Sequence, residues 1–182
     1  VGQGLLISYY SEELSQRSLL ASQVLLTIDD VVRRAHYQNA QRTLFKLLQL
    51  GVVPIINEND TVGVQEIRFG DNDRLAALVS HLISGDLLIL VTDIDSLYDA
   101  PPINPSAKRI SHVSDLTNLS DVQIGGVGSS GVGSGGMVTK IEAARISTGA
   151  GVSMLLTSLE KLPKALKGED VGTFFQASSD RK

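Results

Sequence analysis

Apolar positions along this chain alternate between two spacings, one suited to helices and one to short buried strands. Within residues 5–14, Leu5, Leu6, Tyr9, Tyr10 and Leu14 fall at helical intervals. Residues 23–27 form a brief apolar run that stops before Asp29-Asp30, which predicts a strand followed by a helix start. Over 30–50, Ala40, Leu44, Leu47 and Leu48 mark one helical face, and Gly51 is placed to end that helix in a left-handed conformation. The β-branched run 52–56 opens onto Asn57-Glu58-Asn59-Asp60, which is too polar for a core strand. Helical spacing returns at Leu75, Leu78, Val79 and Leu82 and breaks at Gly85-Asp86. Residues 87–91 read as a fully buried strand, with Thr92-Asp93-Ile94-Asp95 directly after it. Pro101, Pro102 and Pro105 mark a surface loop. A helix over 137–148, a strand over 152–156, a short helix over 161–167 and a last strand over 171–176 complete the pattern.

Strands alternating with helices predict an α/β fold with a mostly parallel sheet covered on both faces. In such sheets ligands gather beyond the carboxyl ends of the strands, where residues 57–60 and 92–95 both lie. The length of 182 residues suits about one domain and a sizeable core. Its net charge is −4 and no Lys/Arg run exceeds two residues, which disfavours a nucleic-acid partner. No apolar run approaches the roughly 20 residues that span a bilayer. Cysteine is absent, removing disulfides, thiolate metal sites and cysteine nucleophiles together, and fitting a reducing, cytoplasmic setting.

The most informative stretch is Gly131-Val132-Gly133-Ser134-Gly135-Gly136-Met137-Val138-Thr139-Lys140. Glycines let backbone N–H groups approach an anion, and a helix starting near Gly136 adds its positive end. Lys140, one turn in, can reach back toward a phosphate. The P-loop pattern fails because Met137 stands where lysine is required. A Gly-x-Gly-x-x-Gly pattern is met, but the strand it needs is not expected before it, because residues 121–130 are Gly/Ser-rich; residues 125–136 hold seven glycines and three serines in all. A flexible loop fits the same letters.

Asn57-Glu58-Asn59-Asp60 and Asp71-Asn72-Asp73 gather seven carboxylates and amides, a donor and acceptor set suited to an amino acid. Asp71 or Asp73 equally suits the N-cap of the following helix. Thr92, Asp93 and Asp95 suit a ribose, a base or a metal, or simply a turn. His36, His81 and His112 are scattered without metal-ligand spacing. Arg33-Arg34 and Lys108-Arg109 read as solvated faces. Ser129, Ser130 and Ser134 have no histidine partner in sequence reach, so no hydrolase triad is indicated.

Four segments together resemble the amino-acid kinase family, in its glutamate-phosphorylating branch. They are Pro54-Ile55-Ile56-Asn57-Glu58-Asn59-Asp60, Phe69-Gly70-Asp71-Asn72-Asp73, Leu90-Val91-Thr92-Asp93-Ile94-Asp95-Ser96-Leu97-Tyr98 and Gly133-Ser134-Gly135-Gly136-Met137-Val138-Thr139-Lys140. The resemblance implies a three-layer αβα sandwich forming one kinase domain over residues 1–182, and transfer of the ATP γ-phosphoryl to L-glutamate in proline biosynthesis. By motif match, Asp60, Asn72, Asn57 and Asp71 would bind glutamate. Thr92 and Asp93 would meet the nucleoside end of ATP. Ser134, Gly135, Gly136, Met137, Val138, Thr139 and Lys140 would wrap the phosphates. Lys140 and Asp73 carry the catalytic roles, neutralising the moving phosphoryl group and orienting lysines, and Mg2+ would ride on the ATP phosphates without a metal site of the protein's own.

The same resemblance implies a homodimer or homotetramer, proline as feedback inhibitor and a glutamyl phosphate reductase as metabolic partner. It also sets the chain's start after the family's first strand, lysine-bearing glycine loop and serine-containing glutamate loop. No C-terminal RNA-modification-type (PUA) or reductase domain is expected within these residues. The alternatives are a sibling kinase acting on acetylglutamate, aspartate, carbamate or UMP, and a non-catalytic ligand-binding fragment. A reductase is disfavoured by the missing cysteine.

Overall fold

The computed structural model describes residues 2–59, 72–100, 104–116 and 136–178. Two compact units emerge, Val1–Leu75 and Ala76–Lys182.

The first unit begins with helix α1, Gly2–Ser15. The helix forms where its spacing predicts, but none of its residues is buried, and Leu5, Leu6, Tyr9 and Tyr10 remain exposed among the described residues. Strand β1, Leu20–Leu26, starts three residues earlier than the apolar run suggests. The predicted single helix over 30–50 is two helices, α2 at Ile28–Val32 and α3 at Arg34–Gln49. They part at Arg33, whose backbone is extended (φ −80°, ψ 123°). The start of α2 is fixed by Asp30, whose carboxylate accepts hydrogen bonds from the Thr27 N–H and hydroxyl, each at 2.7 Å. On α3, Leu44 is completely buried while Leu48 stays exposed, so the core uses a narrower stripe than the spacing suggests. Gly51 ends α3 at φ +70°, the left-handed conformation that glycine adopts without a Cβ penalty.

Strand β2, Val52–Glu58, pairs in parallel with β1 from Leu20↔Val52 through Leu26↔Glu58. The strand therefore includes Asn57 and Glu58, which the sequence assigns to a loop. Their polarity is tolerated because the strand is only half-buried along its length. Helix α4, Asn72–Leu82, follows.

In the second unit, strand β3, Leu87–Thr92, leads to β4 (Leu97–Tyr98), β5 (Arg109–Ile110) and β6 (His112–Val113). Helix α5, Met137–Gly149, is followed by β7 (Ser153–Ser158), α6 (Leu162–Ala165) and β8 (Thr173–Phe175). The main sheet runs β3-β7-β8-β6. β3 and β7 are parallel, as are β6 and β8, while β7 and β8 are antiparallel. β4 and β5 form a small antiparallel pair. The mostly parallel α/β class expected from the alternation is realised.

β3 is less buried than its apolar run predicts: Leu87 and Val91 are exposed among the described residues, because β3 lies at the end of this sheet. The core gathers instead on Leu90, Leu97, Ile141, Met154, Leu156 and Phe175. Burial of such side chains contributes roughly 1.5–3 kcal/mol each. A polar clamp reinforces it. The buried Thr173 hydroxyl accepts from the Leu97 N–H at 2.8 Å and donates to the Ile110 carbonyl at 2.6 Å, tying β4, β5 and β8 together.

Just before Thr173, Gly172 has φ +78°, and a Cβ there would lie 2.4 Å from the Leu156 carbonyl oxygen. Only glycine lets the chain turn so close to β7. Arg109 braces that turn, donating to the Gly172 carbonyl at 2.8 Å and pairing with Asp170 at 2.7 Å. The reading of Lys108-Arg109 as a solvated face therefore fails for Arg109, whose side chain is only 26% exposed.

Candidate active site

The second unit brings several of the sequence-derived candidates to one end of its sheet. α5 is joined to β7 by a short turn and so runs back antiparallel to it. Thirteen helical residues rise about 20 Å, and six strand residues advance by nearly the same length. The N-terminus of α5 therefore lies at the level of the carboxyl end of β7, and of its parallel neighbour β3. The turn is held firmly: the Val152 N–H donates to the Ser147 carbonyl at 3.0 Å, and the buried Ser147 hydroxyl donates to the Val152 carbonyl at 2.8 Å.

Gly136 is the N-cap of α5, extended at φ −74° and ψ −177°. It offers no side chain to the first-turn N–H groups, and a Cβ built there meets nothing within 4 Å. No acidic residue occupies the first turn, so the helix does not itself compensate the positive end of its dipole. Thr139 turns its hydroxyl back to the Gly136 carbonyl at 2.8 Å. Met137 and Thr139 are half-buried and Val138 is exposed. Lys140 is 5% exposed, and its charge reaches Asp93 at the end of β3.

Asp93 itself is exposed. The Thr92 hydroxyl donates to its carboxylate at 2.8 Å and is the chief reason the carboxyl sits below its ordinary range. Burial opposes it, and backbone N–H groups and the Lys140 charge add to the lowering.

Beside Thr92 and Asp93 opens a cleft of about 640 Å³, lined by Ile94, Asp95, Tyr98 and the strand-end residues Ser158 to Lys161. Asp95 pairs with Lys161 and accepts a hydrogen bond from the Tyr98 hydroxyl at 3.2 Å. Burial alone would raise the Asp95 carboxyl, but the hydrogen bond and charge of Lys161, helped by Tyr98, outweigh it and hold Asp95 low. Burial, then the neighbouring Asp95 charge, pushes the Tyr98 phenol above its ordinary value. Asp95 appeared in the sequence only as a turn or ligand candidate, and the spacing gave no sign of Tyr98 or Lys161. The pairing joins residues 66 positions apart, which no local pattern reports.

The first unit places Asn57 at the carboxyl end of β2, where its side-chain oxygen accepts from the Glu58 N–H at 2.9 Å. Asn72 opens α4 and is exposed; Asp73 lies in the first turn, so it is not the N-cap that the sequence allows. Asp60, Asp71, Ser134 and Gly135 lie outside the described residues. Among the described residues no group of three or more His, Cys, Asp or Glu side chains is gathered to hold a metal. No helix among them is long and apolar enough to cross a membrane.

Parallel strands ending on a polar cleft, beside a helix N-terminus with a glycine cap, define an α/β protein of the kind that binds small ligands at strand ends. A model of the amino acid kinase family matches residues 1–158, and the chain belongs to that family. Over its whole length the chain is 54% identical to a glutamate 5-kinase of Thermobifida fusca, covering 47% of that protein. It is 57% identical to a glutamate 5-kinase of Salinispora arenicola, again over its whole length and 49% of the relative. With the glutamate 5-kinase of Clavibacter sepedonicus it shares 51% identity over 98% of the chain and 69% of the relative. The chain spans about half the length of the first two.

Among solved structures, carbamate kinase from Giardia lamblia bound to AMP-PNP superposes with a TM-score of 0.65 at 17% identity, over 97% of this chain and 70% of that one. UMP kinase from Ureaplasma parvum gives 0.56 at 15% identity, over 90% and 63%. At such identities these two speak for a shared fold.

Proposed function

We propose that the protein transfers the γ-phosphoryl group of ATP to the side-chain carboxylate of L-glutamate, giving glutamyl 5-phosphate and ADP. The observation that carries this reading is the convergence of the α5 N-terminus, Lys140 and the strand-end cleft at Thr92-Asp93. That arrangement supplies a place for phosphates next to a place for a nucleoside. Among the described residues the cleft is lined by Asp93, Asp95 and Glu160 against one cation, Lys161, which is itself paired with Asp95. Carboxylates there suit ribose and base donors and repel a triphosphate, so the phosphates belong at the α5 end.

The acceptor carboxylate is ionised at pH 7, so no general base is needed. One of its oxygens attacks the γ-phosphorus, the bond to the β–γ bridging oxygen breaks, and ADP leaves with the electron pair. What remains for the protein is positioning and neutralisation of charge. Lys140 supplies positive charge, with the N–H groups of Gly136 to Val138 alongside and Ser134-Gly135 before them. Asp60, Asn57, Asp71 and Asn72 hold glutamate, and Asp73 orients lysines. Magnesium, carried on the ATP phosphates, screens their charge. In this reading the enzyme is cytoplasmic, acts as a homodimer or homotetramer under proline feedback, and passes its acyl phosphate to a reductase in proline synthesis.

The test is ADP release by the full-length protein with glutamate, aspartate, acetylglutamate, carbamate or UMP as acceptor, with the acyl phosphate trapped by hydroxylamine. ADP and hydroxamate are expected with glutamate. Turnover of another acceptor with none of glutamate would refute the assignment.

A further inference from the structure

We propose that the Asp95–Lys161 ion pair, with the Tyr98 hydroxyl on the same carboxylate, is a positioning latch that sets the nucleoside end of the cleft. It rests on the kinase reading for its ligand. The latch ties the segment that follows β3 to the segment that follows β7. Both segments line the 640 Å³ cleft, and Lys161 lies beyond residue 158, where the family match ends.

Three observations support a positional role. First, the pair is half-exposed, at 39% for Lys161 and 28% for Asp95, and ion pairs so exposed add little to stability. Its placement at the rim of a cleft is therefore the more telling property. Second, the two strand ends it joins are neighbours in register, with Thr92 opposite Ser158. A link three residues past each strand end closes a small ring around the mouth of the cleft. Third, the link leaves Lys161 and Asp95 mutually neutralised, with the Tyr98 phenol as a third member at 3.2 Å. Asp93 and Glu160 then remain as the acidic lining. Without Asp95, the Lys161 ammonium would stand uncompensated in the cleft and draw the triphosphate toward the wrong end. Without Lys161, the Asp95 carboxylate would add a third uncompensated negative charge, repelling ATP.

The experiment measures kcat, KM for ATP, KM for glutamate and, by calorimetry, Kd for ATP in the full-length protein and three variants. Lys161→Met is expected to raise KM and Kd for ATP about tenfold, the loss that follows when one polar anchor of a ligand is misplaced. KM for glutamate and kcat should stay within about threefold, because the latch touches neither the acceptor nor the moving phosphoryl group. Lys161→Arg, which keeps the charge, is expected to restore ATP affinity to within about threefold of the parent. Asp95→Asn retains the side-chain shape and should reproduce the ATP defect, which keeps the inference testable if Lys161→Met fails to fold.

ATP affinity unchanged in both Lys161→Met and Asp95→Asn would overturn the latch and leave the kinase reading standing. Equal losses in Lys161→Met and Lys161→Arg would also overturn it. A parent protein that binds ATP but does not phosphorylate glutamate would refute the kinase reading alone, with the Kd values still deciding the latch. A parent that binds no ATP would overturn both.

Discussion

Replacing Lys140 by methionine tests the proposed chemistry most directly. The side chain is 5% exposed on α5, and methionine matches its length and apolar stem, so the helix keeps its packing. What disappears is one positive charge beside the place proposed for the phosphates. Lys140 already acts at a distance on Asp93, so its charge is felt just past the end of β3. A unit charge about 5 Å from a developing negative charge, at an effective dielectric of about 20, is worth about 3 kcal/mol. Loss of one such preorganised donor in other enzymes costs about 3–4 kcal/mol, or roughly 100- to 1,000-fold in kcat. The expected result in the full-length protein is a fall in kcat of at least about 100-fold, with a smaller rise in KM for ATP, since the interaction is strongest in the transition state. Steady-state ADP release measures both, and circular dichroism checks that the variant is folded. A kcat within tenfold of the parent would show that Lys140 does not neutralise the transferred group.

Gly172→Ala is expected to destabilise the protein by at least about 2 kcal/mol in urea, because alanine meets both a positive φ and the Leu156 carbonyl oxygen; a loss under about 0.5 kcal/mol would contradict the close approach. Thr173→Val removes the buried hydroxyl that links Leu97 and Ile110 and should cost about 2–3 kcal/mol, whereas Thr173→Ser, keeping the hydroxyl, should lose less. Asp95 is held low in the folded state, so its contribution to stability is complete above about pH 3.8 and fades as the pH falls through its lowered folded value. Asp95→Asn should therefore flatten the acid limb of a stability–pH curve only slightly, as suits so exposed a pair, and a flattening of more than about 1 kcal/mol would contradict its positional role. The same variant removes the charge that helps to raise Tyr98, so ultraviolet titration should find one tyrosine ionising at lower pH than in the parent.

Much of this was legible in the letters because the relevant signals are local. The helices read over 5–14 and 137–148 and the strands read over 52–56 and 87–91 follow from periodicity and from polar residues placed after apolar runs, each falling one to four residues short of the element formed. The helix break at Arg33 was not legible, since no proline or glycine stands there to announce it. β4, β5 and β6 have two residues each, too few for any period to register. Exposure of β3 depends on which strands flank it, and the roles of Arg109 and Lys161 depend on partners 61 and 66 positions away. For the candidate site, the end of α5 proposed to hold phosphates could be read from glycine spacing, whereas the rim of the cleft could not. Ion pairs between strand ends are properties of topology.

The turn at Ala150, Gly151 and Val152 has a consequence for how such a protein can vary. Because Ser147 and Val152 clasp each other across it, the level of Lys140 along the sheet is inherited from β7 alone. One residue added between Gly149 and Ser153 would break the clasp and let the helix shift against the strand, carrying Lys140 with it. The length of that short turn is thus constrained by the residue it holds in place a full helix away.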